Sequence, residues 1–315
     1  MPSQLNKSHW SPLIVGSWIG VLLPPAFYLY LVYSYSLNLP FADDFTNMAH
    51  TISIIQSENF SDKLYNLFSQ DGEHRVVFNR LAYILSSFII WEIDFKFLII
   101  FGNVALLALL YLFFKILKVP HHNLFYFIPI SILLFQLQFW KNMTWSVPAI
   151  QHQYILIFTG LTFYSLSKNS NLGFCSGFFF AVVSVFTNGS GMATIFLGWI
   201  ILLTSKKYRQ SAIWAVGTLL LGFFYFKNFY TITNIFAGTQ SLVGLNSLLM
   251  YFFSFLGSSL SLDNIFAAAG FGVVLSLYFC YLTWDKYFER NLTVFIFIAY
   301  IFLCAAMVAV ARSDL

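Results

Sequence analysis

FLIIFGNVALLALLYLFFKIL, residues 97–117, decides the fold. It carries no charge before Lys115. It is long enough to cross roughly 30 Å of hydrocarbon as a helix. Lys115, Lys118, His121 and His122 follow as a basic turn. Inside lipid a segment must satisfy its own backbone hydrogen bonds, so such a block is helical. Similar blocks recur at Leu13–Tyr35, Leu124–Trp140, Tyr154–Leu166, Leu172–Phe186, Met192–Thr204, Ala212–Phe226, Ile265–Trp284 and Leu292–Ala311. The strand-period alternation of a membrane barrel is absent. The composition agrees: 59% of residues are hydrophobic, 9% are charged, and mean hydropathy is +0.76. Soluble chains carry about 25% charged residues, and this chain could not cover a soluble surface. The sequence predicts an all-α, polytopic transmembrane bundle in a single domain, 1–315.

The net charge of +4 does not point to nucleic acid, because the basic residues sit singly or in one short cluster between blocks. Cys175, Cys280 and Cys304 all lie in apolar blocks and read as packing residues. Lys7 precedes the first block and no small-residue cleavage site follows it, so that block reads as an uncleaved span, kinked at Pro24 and Pro25. The marker Ser205-Lys206-Lys207-Tyr208-Arg209 places its loop in the cytoplasm. Counting back puts Asn188 and Lys141–Gln153 outside. Counting forward from Lys7 puts the long polar stretch after residue 36 outside. The counts agree only if Val76–Leu117 crosses once. Val76–Trp91 then lies on the outer face: Asn79, Arg80, Tyr83, Ser86 and Ser87 form one helical stripe, and Val77, Leu81, Ile84, Phe88 and Trp91 another. The ordinary alternative is a second span. Leu245–Leu256, short and flanked by Gly244 and Gly257, reads as a second interfacial segment within 227–260. This gives about nine spans, or about eleven if both segments cross.

The charged chemistry gathers outside. Asp43 and Asp44, in Ala42-Asp43-Asp44-Phe45, are adjacent carboxylates just past the first span. Their side chains diverge, so one would work while the other orients it or binds a divalent cation; the ordinary alternative is helix capping. Glu73-His74-Arg75 with Arg80 starts the interfacial helix and suits a headgroup-level phosphate, since arginine binds phosphate bidentately. Plain snorkelling is the rival. Trp140, Trp145 and Gln151-His152-Gln153 form an aromatic and polar patch, either an interfacial belt or a stacking surface for sugar or prenyl groups. Asn188-Gly189-Ser190-Gly191 breaks a helix at the same face. No cytoplasmic loop carries a P-loop, zinc spacing or nucleophile elbow.

A first span, paired acids in a large outer loop, an interfacial helix and a span ending in basic residues resemble the GT-C superfamily of polytopic glycosyltransferases. Ala42-Asp43-Asp44-Phe45, Glu73-His74-Arg75 with Arg80, Trp140–Gln153, Asn188-Gly189 and Leu256-Gly257-Ser258 resemble a group of uncharacterised bacterial membrane proteins of that type. Two departures stand out. Many relatives have Asp-Glu where this chain has Asp43-Asp44. Members also continue beyond an arginine like Arg312, so the resemblance implies that this chain ends early. It further implies transfer of one sugar from a polyprenyl-phosphate donor to an envelope glycan, lipid or protein acceptor, at the outer face of a bacterial inner membrane. Asp43 would be the general base. Arg75, Arg80 and His74 would stabilise the departing phosphate. The competing classes are an envelope-glycan polymerase or ligase and a lipid-linked glycan transporter. A transporter should place ionisable groups mid-span, where this chain has few.

Overall fold

A computed structural model describes residues 12–168, 170–229, 244–261 and 264–312. All regular structure among them is helical. The helices are α1 Pro12–Tyr35, α2 Asp44–Gln56, α3 Phe60–Phe68, α4 Val77–Ile90, α5 Phe95–Leu117, α6 Ile128–Leu134, α7 Trp140–Met143 and α8 Ser146–Leu166. They continue as α9 Asn171–Val185, α10 Gly191–Thr204, α11 Tyr208–Phe226, α12 Leu245–Gly257, α13 Ile265–Trp284, α14 Tyr287–Arg290 and α15 Leu292–Arg312. Five segments are long and apolar enough to cross a membrane: α1, α5, 124–143, α13 and α15. The helices α9 and α10 are apolar but shorter. α1 stays helical through Pro24 and Pro25.

α5 and α8 lie at the centre and bury more residues than any other described helix. They approach closely at Gly102, where a Cβ would stand 2.5 Å from the backbone of Ala149. One apolar cluster joins α1, α5 and the broken 121–143 stretch, and a second joins α8, α9, α10, α11 and α15. Single polar contacts tie these helices across the apolar interior, as is common in lipid. The Tyr28 hydroxyl donates to Asn103 Oδ1 at 2.5 Å, and Asn103 Nδ2 donates to the carbonyl of Met143 at 2.9 Å. Thr159 and Thr194 share a hydroxyl hydrogen bond at 2.7 Å, and Trp214 Nε1 donates to the carbonyl of Ile195.

The bundle has two chemically different ends. At one, the 36–95 loop meets the start of α8 and the ends of α9 and α11: Val147 N–H donates to Asp44, Phe78 N–H to Phe186 O and Arg75 to Tyr225 O, and nearby Gln138 donates to Ser258 O. Asp43, Asp44, Glu58, Asp62, Asp71, Glu73, Glu92 and Asp94 all belong to this end. The other end collects Lys115, Lys118, Lys168, Lys206, Lys207, Arg209, Lys286 and Arg290. Lys207 Nζ there donates to Leu166 O and Lys168 O.

α4 has the polar stripe read from the sequence, turned inward, but only part of the expected apolar stripe faces out: Val77 is buried with the polar residues and Ile84 is half-buried. Asn79, Arg80, Tyr83 and Ser86 are fully buried against the protein. Leu81, Leu85, Phe88 and Trp91 face outward. A helix of this length spans about 21 Å, short of a bilayer core. Two expectations need correction. α12 does not lie as a separate surface segment but runs antiparallel along α13. A Cβ at Gly257 would fall 2.0 Å from Ala268 O, and one at Gly272 would fall 1.9 Å from Phe253 O. The preceding segment 230–243, part of the expected second loop, lies outside the described residues. Cys175 and Cys280 are also free and exposed, with only Cys304 half-buried, so two of the three do not pack the core.

The α12–α13 contact predicts an asymmetry between two glycines. Gly272→Ala must push the helices apart and should cost about 1–3 kcal/mol. Gly222→Ala, which meets nothing within 4 Å, should leave thermal unfolding in detergent unchanged or slightly raised.

Candidate functional site

The two adjacent acids have divergent surroundings. Ala42 takes a left-handed backbone conformation (φ 45°) that turns the chain into α2. Asp44, the first residue of α2, is 1% exposed. Its Oδ2 accepts the Phe41 N–H at 3.0 Å. Its Oδ1 accepts the Tyr83 hydroxyl at 2.8 Å, the Ser146 hydroxyl at 2.5 Å and the Val147 N–H at 3.2 Å. Ser146 and Val147 open α8, so the carboxylate sits at that helix's positive end. Asp44 thus fastens α2, α4 and α8 together. Asp43 is exposed. Its carbonyl accepts Asn47 N–H and Nδ2, and its carboxylate makes no hydrogen bond among the described residues. Beside it, the Phe41 ring meets Trp145 edge-on at 5.2 Å, and the buried Trp145 Nε1 has no partner among the described residues.

Asn47 links Asp43 to a carboxylate that sequence reasoning did not single out. Its Nδ2 also donates to Asp71 Oδ2 at 3.2 Å. Asp71 and His74 exchange backbone hydrogen bonds around Gly72, whose φ of +55° the turn requires. Burial raises the Asp71 pKa, opposed by the Arg80 and His50 charges. His50 lies one helical turn past Asn47 on α2, and burial followed by the Arg80 charge lowers its pKa. The spacing Asp43, Asn47, His50 marks one face of α2 and is the sequence signal for this group.

Arg75 and Arg80 do converge, but their targets are carbonyls of the protein itself. Arg75 Nη1 donates to Phe68 O, Nε to Tyr225 O at 2.7 Å and Nη2 to Lys227 O at 2.6 Å. Arg80 Nη1 donates to the carbonyls of Asn66, Leu67 and Ser69 at 2.6–3.0 Å. Both cations therefore sit at the negative end of α3 and satisfy its terminal carbonyls. Arg80 is fully buried, and its Nε and Nη2 have no partner among the described residues. This corrects the reading of the pair as a headgroup clamp for Arg75, whose fork is spent on α3 and the end of α11, while Arg80 gives only Nη1, to the end of α3.

A separate set of basic groups is gathered by α8, α15 and the turn before α4. The His74 ring packs on Gly189, where a Cβ would fall 2.6 Å from Nδ1, and that buried Nδ1 has no partner among the described residues. Burial lowers the His74 pKa; Glu73 and Asp71 oppose this and Arg312 adds to it. Arg312 and His74 both lie within electrostatic reach of His152. Arg312 and His152 are exposed. Asn188 Oδ1 shapes the adjoining turn by accepting Ser190 N–H at 2.9 Å. Ser190 in turn accepts the Tyr300 hydroxyl from α15. Glu73 is exposed and Gln151 is buried on α8. Trp140 is exposed, with Lys141 over its ring. The structure thus brings Asp43, Asp44 and Trp145 together at one corner, and His74, Asn188 and Arg312 at another. His152 belongs with the second corner but was visible in the sequence only as part of a polar run. No group of three or more His, Cys, Asp or Glu among the described residues is arranged to hold a metal ion.

The contrast between the acids predicts separable effects. Asp44→Asn places an amide where a buried carboxylate accepts from two backbone N–H groups and two hydroxyls, and should lower stability by about 2–4 kcal/mol. Asp43→Asn should change it by less than about 0.5 kcal/mol. Thermal unfolding of both variants checks this. The histidines add a pH dependence. Folding favours neutral His50 and His74, so their contribution is complete above the unfolded value of about 6.5 and is lost as pH falls below it. Asp71, whose folded pKa is raised, acts oppositely over the carboxylate range. The loss between pH 7 and 5 should flatten in His50→Gln/His74→Gln, read as the melting temperature against pH.

No family model matches the chain, and neither a curated protein nor a solved structure shows significant similarity to it.

Proposed function

We propose that this chain is a membrane glycosyltransferase of the GT-C type, taking one sugar from a polyprenyl-phosphate donor to an envelope acceptor. One observation carries the reading: of two adjacent acids, Asp44 is spent on four hydrogen bonds while Asp43 stands exposed and unpaired beside it. A general base needs a carboxylate that is held in place and still accessible. Asp44 fixes the start of α2, and Asp43 is presented from that fixed point. On this reading Asp43 accepts the proton of the acceptor hydroxyl as that oxygen attacks the sugar's anomeric carbon. The bond to the donor phosphate breaks with inversion, and the phosphate departs with the bonding pair. Trp145 and Phe41 supply an apolar and aromatic wall next to the base. Arg312 supplies positive charge for the phosphate, with the neutral rings of His152 and His74 beside it as hydrogen-bonding groups, a role that passes to them from Arg75 and Arg80.

The lysine-rich end would face the cytoplasm, following the positive-inside bias. The acid-bearing end would then face outward from a bacterial inner membrane. About nine crossings, with α8, α9, α10 and α11 added to the five long apolar segments, keep all these residues on one side. A phosphate leaving group needs no nucleotide site on the opposite face.

The test is transfer from a synthetic polyprenyl-phosphate sugar by purified protein. Asp43→Asn should lose about 10²–10⁴-fold in rate at unchanged melting temperature. Arg75→Lys should lower the melting temperature, because lysine cannot reach three carbonyls at once. Arg312→Gln should weaken donor binding at normal stability. Full transfer by Asp43→Asn would remove the general-base role. Donor binding unchanged in Arg312→Gln and in His152→Gln would remove the phosphate role.

A further inference from the structure

The lysine-rich end holds a pocket of about 1050 Å³ between the starts of α9 and α11. Its upper wall is Ser170, Asn171, Lys206, Lys207 and Arg209, and Phe174, Cys175 and Ile213 lie among its apolar lining. No acid lines it. Lys207 is committed to the wall through the carbonyls of Leu166 and Lys168. Lys206 and Arg209 are exposed, and the one ion pair among the described residues, Arg290 with Asp285, lies elsewhere. Two helix N-termini flank the space, with Ser170 capping Gly173 N–H at the start of α9 and Tyr208 opening α11. Both contribute partial positive charge.

The backbone at Lys206 is an independent observation. α10 ends in a paired closure in which Lys207 N–H donates to Leu202 O and Lys206 N–H donates to Leu203 O. That closure requires a left-handed residue, and glycine is the usual occupant. Here it is Lys206, with φ 57°. A lysine stands at a strained position where glycine would be relaxed, and it lines the pocket. Strain of this kind points toward a use for the side chain. Below the pocket the outward faces of α9 and α11 are apolar: Leu172, Phe179, Ile213 and Val216 are all more than half exposed.

Cationic groups above a continuous apolar face match one molecule class: a lipid with an anionic head and hydrocarbon tails. We propose that this pocket binds the headgroup of an anionic phospholipid, with Lys206 and Arg209 on the phosphate and the acyl chains along α9 and α11. This site is separate from the acid-bearing end and does not depend on the transferase reading.

Lys206→Gly makes a sharp probe, because it relieves strain while removing the cation. The full-length protein in a neutral detergent is melted with added phosphatidylglycerol, phosphatidylcholine or glycerol 3-phosphate. Phosphatidylglycerol should raise the melting temperature of the parent protein, and the other two should not. Lys206→Gly should melt at or above the parent without lipid, yet lose most of the phosphatidylglycerol shift. Arg209→Gln should lose part of it, and native mass spectrometry should show fewer retained anionic lipids in both variants. An equal shift in parent and Lys206→Gly would overturn the proposal. So would an equal response to phosphatidylcholine, or a glycerol 3-phosphate shift matching that of the lipid.

Discussion

The Asp44 carboxylate, buried at the start of α8, is the contact on which the acid-bearing end depends. Its two oxygens draw together the turn before α2, the middle of α4 and the first residues of α8. A buried charge is costly unless every lone pair is used, and here backbone N–H groups, hydroxyls and a helix dipole use them. Breaking such a set is much worse than never having made it. Position 44 is therefore fixed by its surroundings, and position 43 is fixed by position 44. Arg75 and Arg80 extend the same principle by giving their charge to the end of α3 and clamping the rest of the loop onto α11. The loop is held by ionised groups bonded to backbone, which carry more energy per contact than neutral pairs.

The sequence carried some of this plainly. Most of the long apolar blocks became helices at nearly the same boundaries, because length and hydropathy in lipid leave little choice, but the block at 124–140 is broken into short helical pieces and α8 begins at Ser146, well before Tyr154. The polar stripe of α4 was readable from its period. Its direction follows from a lipid setting, where the apolar face turns outward and the polar face meets protein. The acid pair was readable as two diverging groups, but not which one would be buried. That depends on Ser146 and Val147, about a hundred residues further along. The convergence of the two arginines was also readable, while their targets were not, since a backbone carbonyl has no side-chain code. Gly244 and Gly257 looked like the ends of a surface helix. Gly257 is instead a close-approach position facing α13, and its counterpart Gly272 carries no local signal of that pairing. Asp71, His50 and His152 matter through neighbours that are distant in sequence or lie one helical turn away.

The two ends divide the polar work of the chain. One gathers acids, histidines and buried arginines into a networked surface. The other places lysines after helix ends, with Lys118, Lys206 and Lys286 each in the left-handed conformation where glycine is usual. At those positions a cation also complements the negative helix terminus. Between the ends the helices are joined by apolar contact and isolated polar bonds, such as those of Asn103 and Thr159, and not by charge. Chemistry concentrated at one end is what a membrane protein acting on an amphipathic substrate at a single surface requires.

That separation is the central claim, and accessibility from each side of the membrane tests it most directly. In a background with Cys175, Cys280 and Cys304 replaced by serine, Asp43→Cys and Lys206→Cys are reacted with a membrane-impermeant maleimide in sealed vesicles of both orientations. The account predicts that Asp43→Cys labels in one orientation only and Lys206→Cys only in the opposite one. Labelling of both from the same side would contradict it.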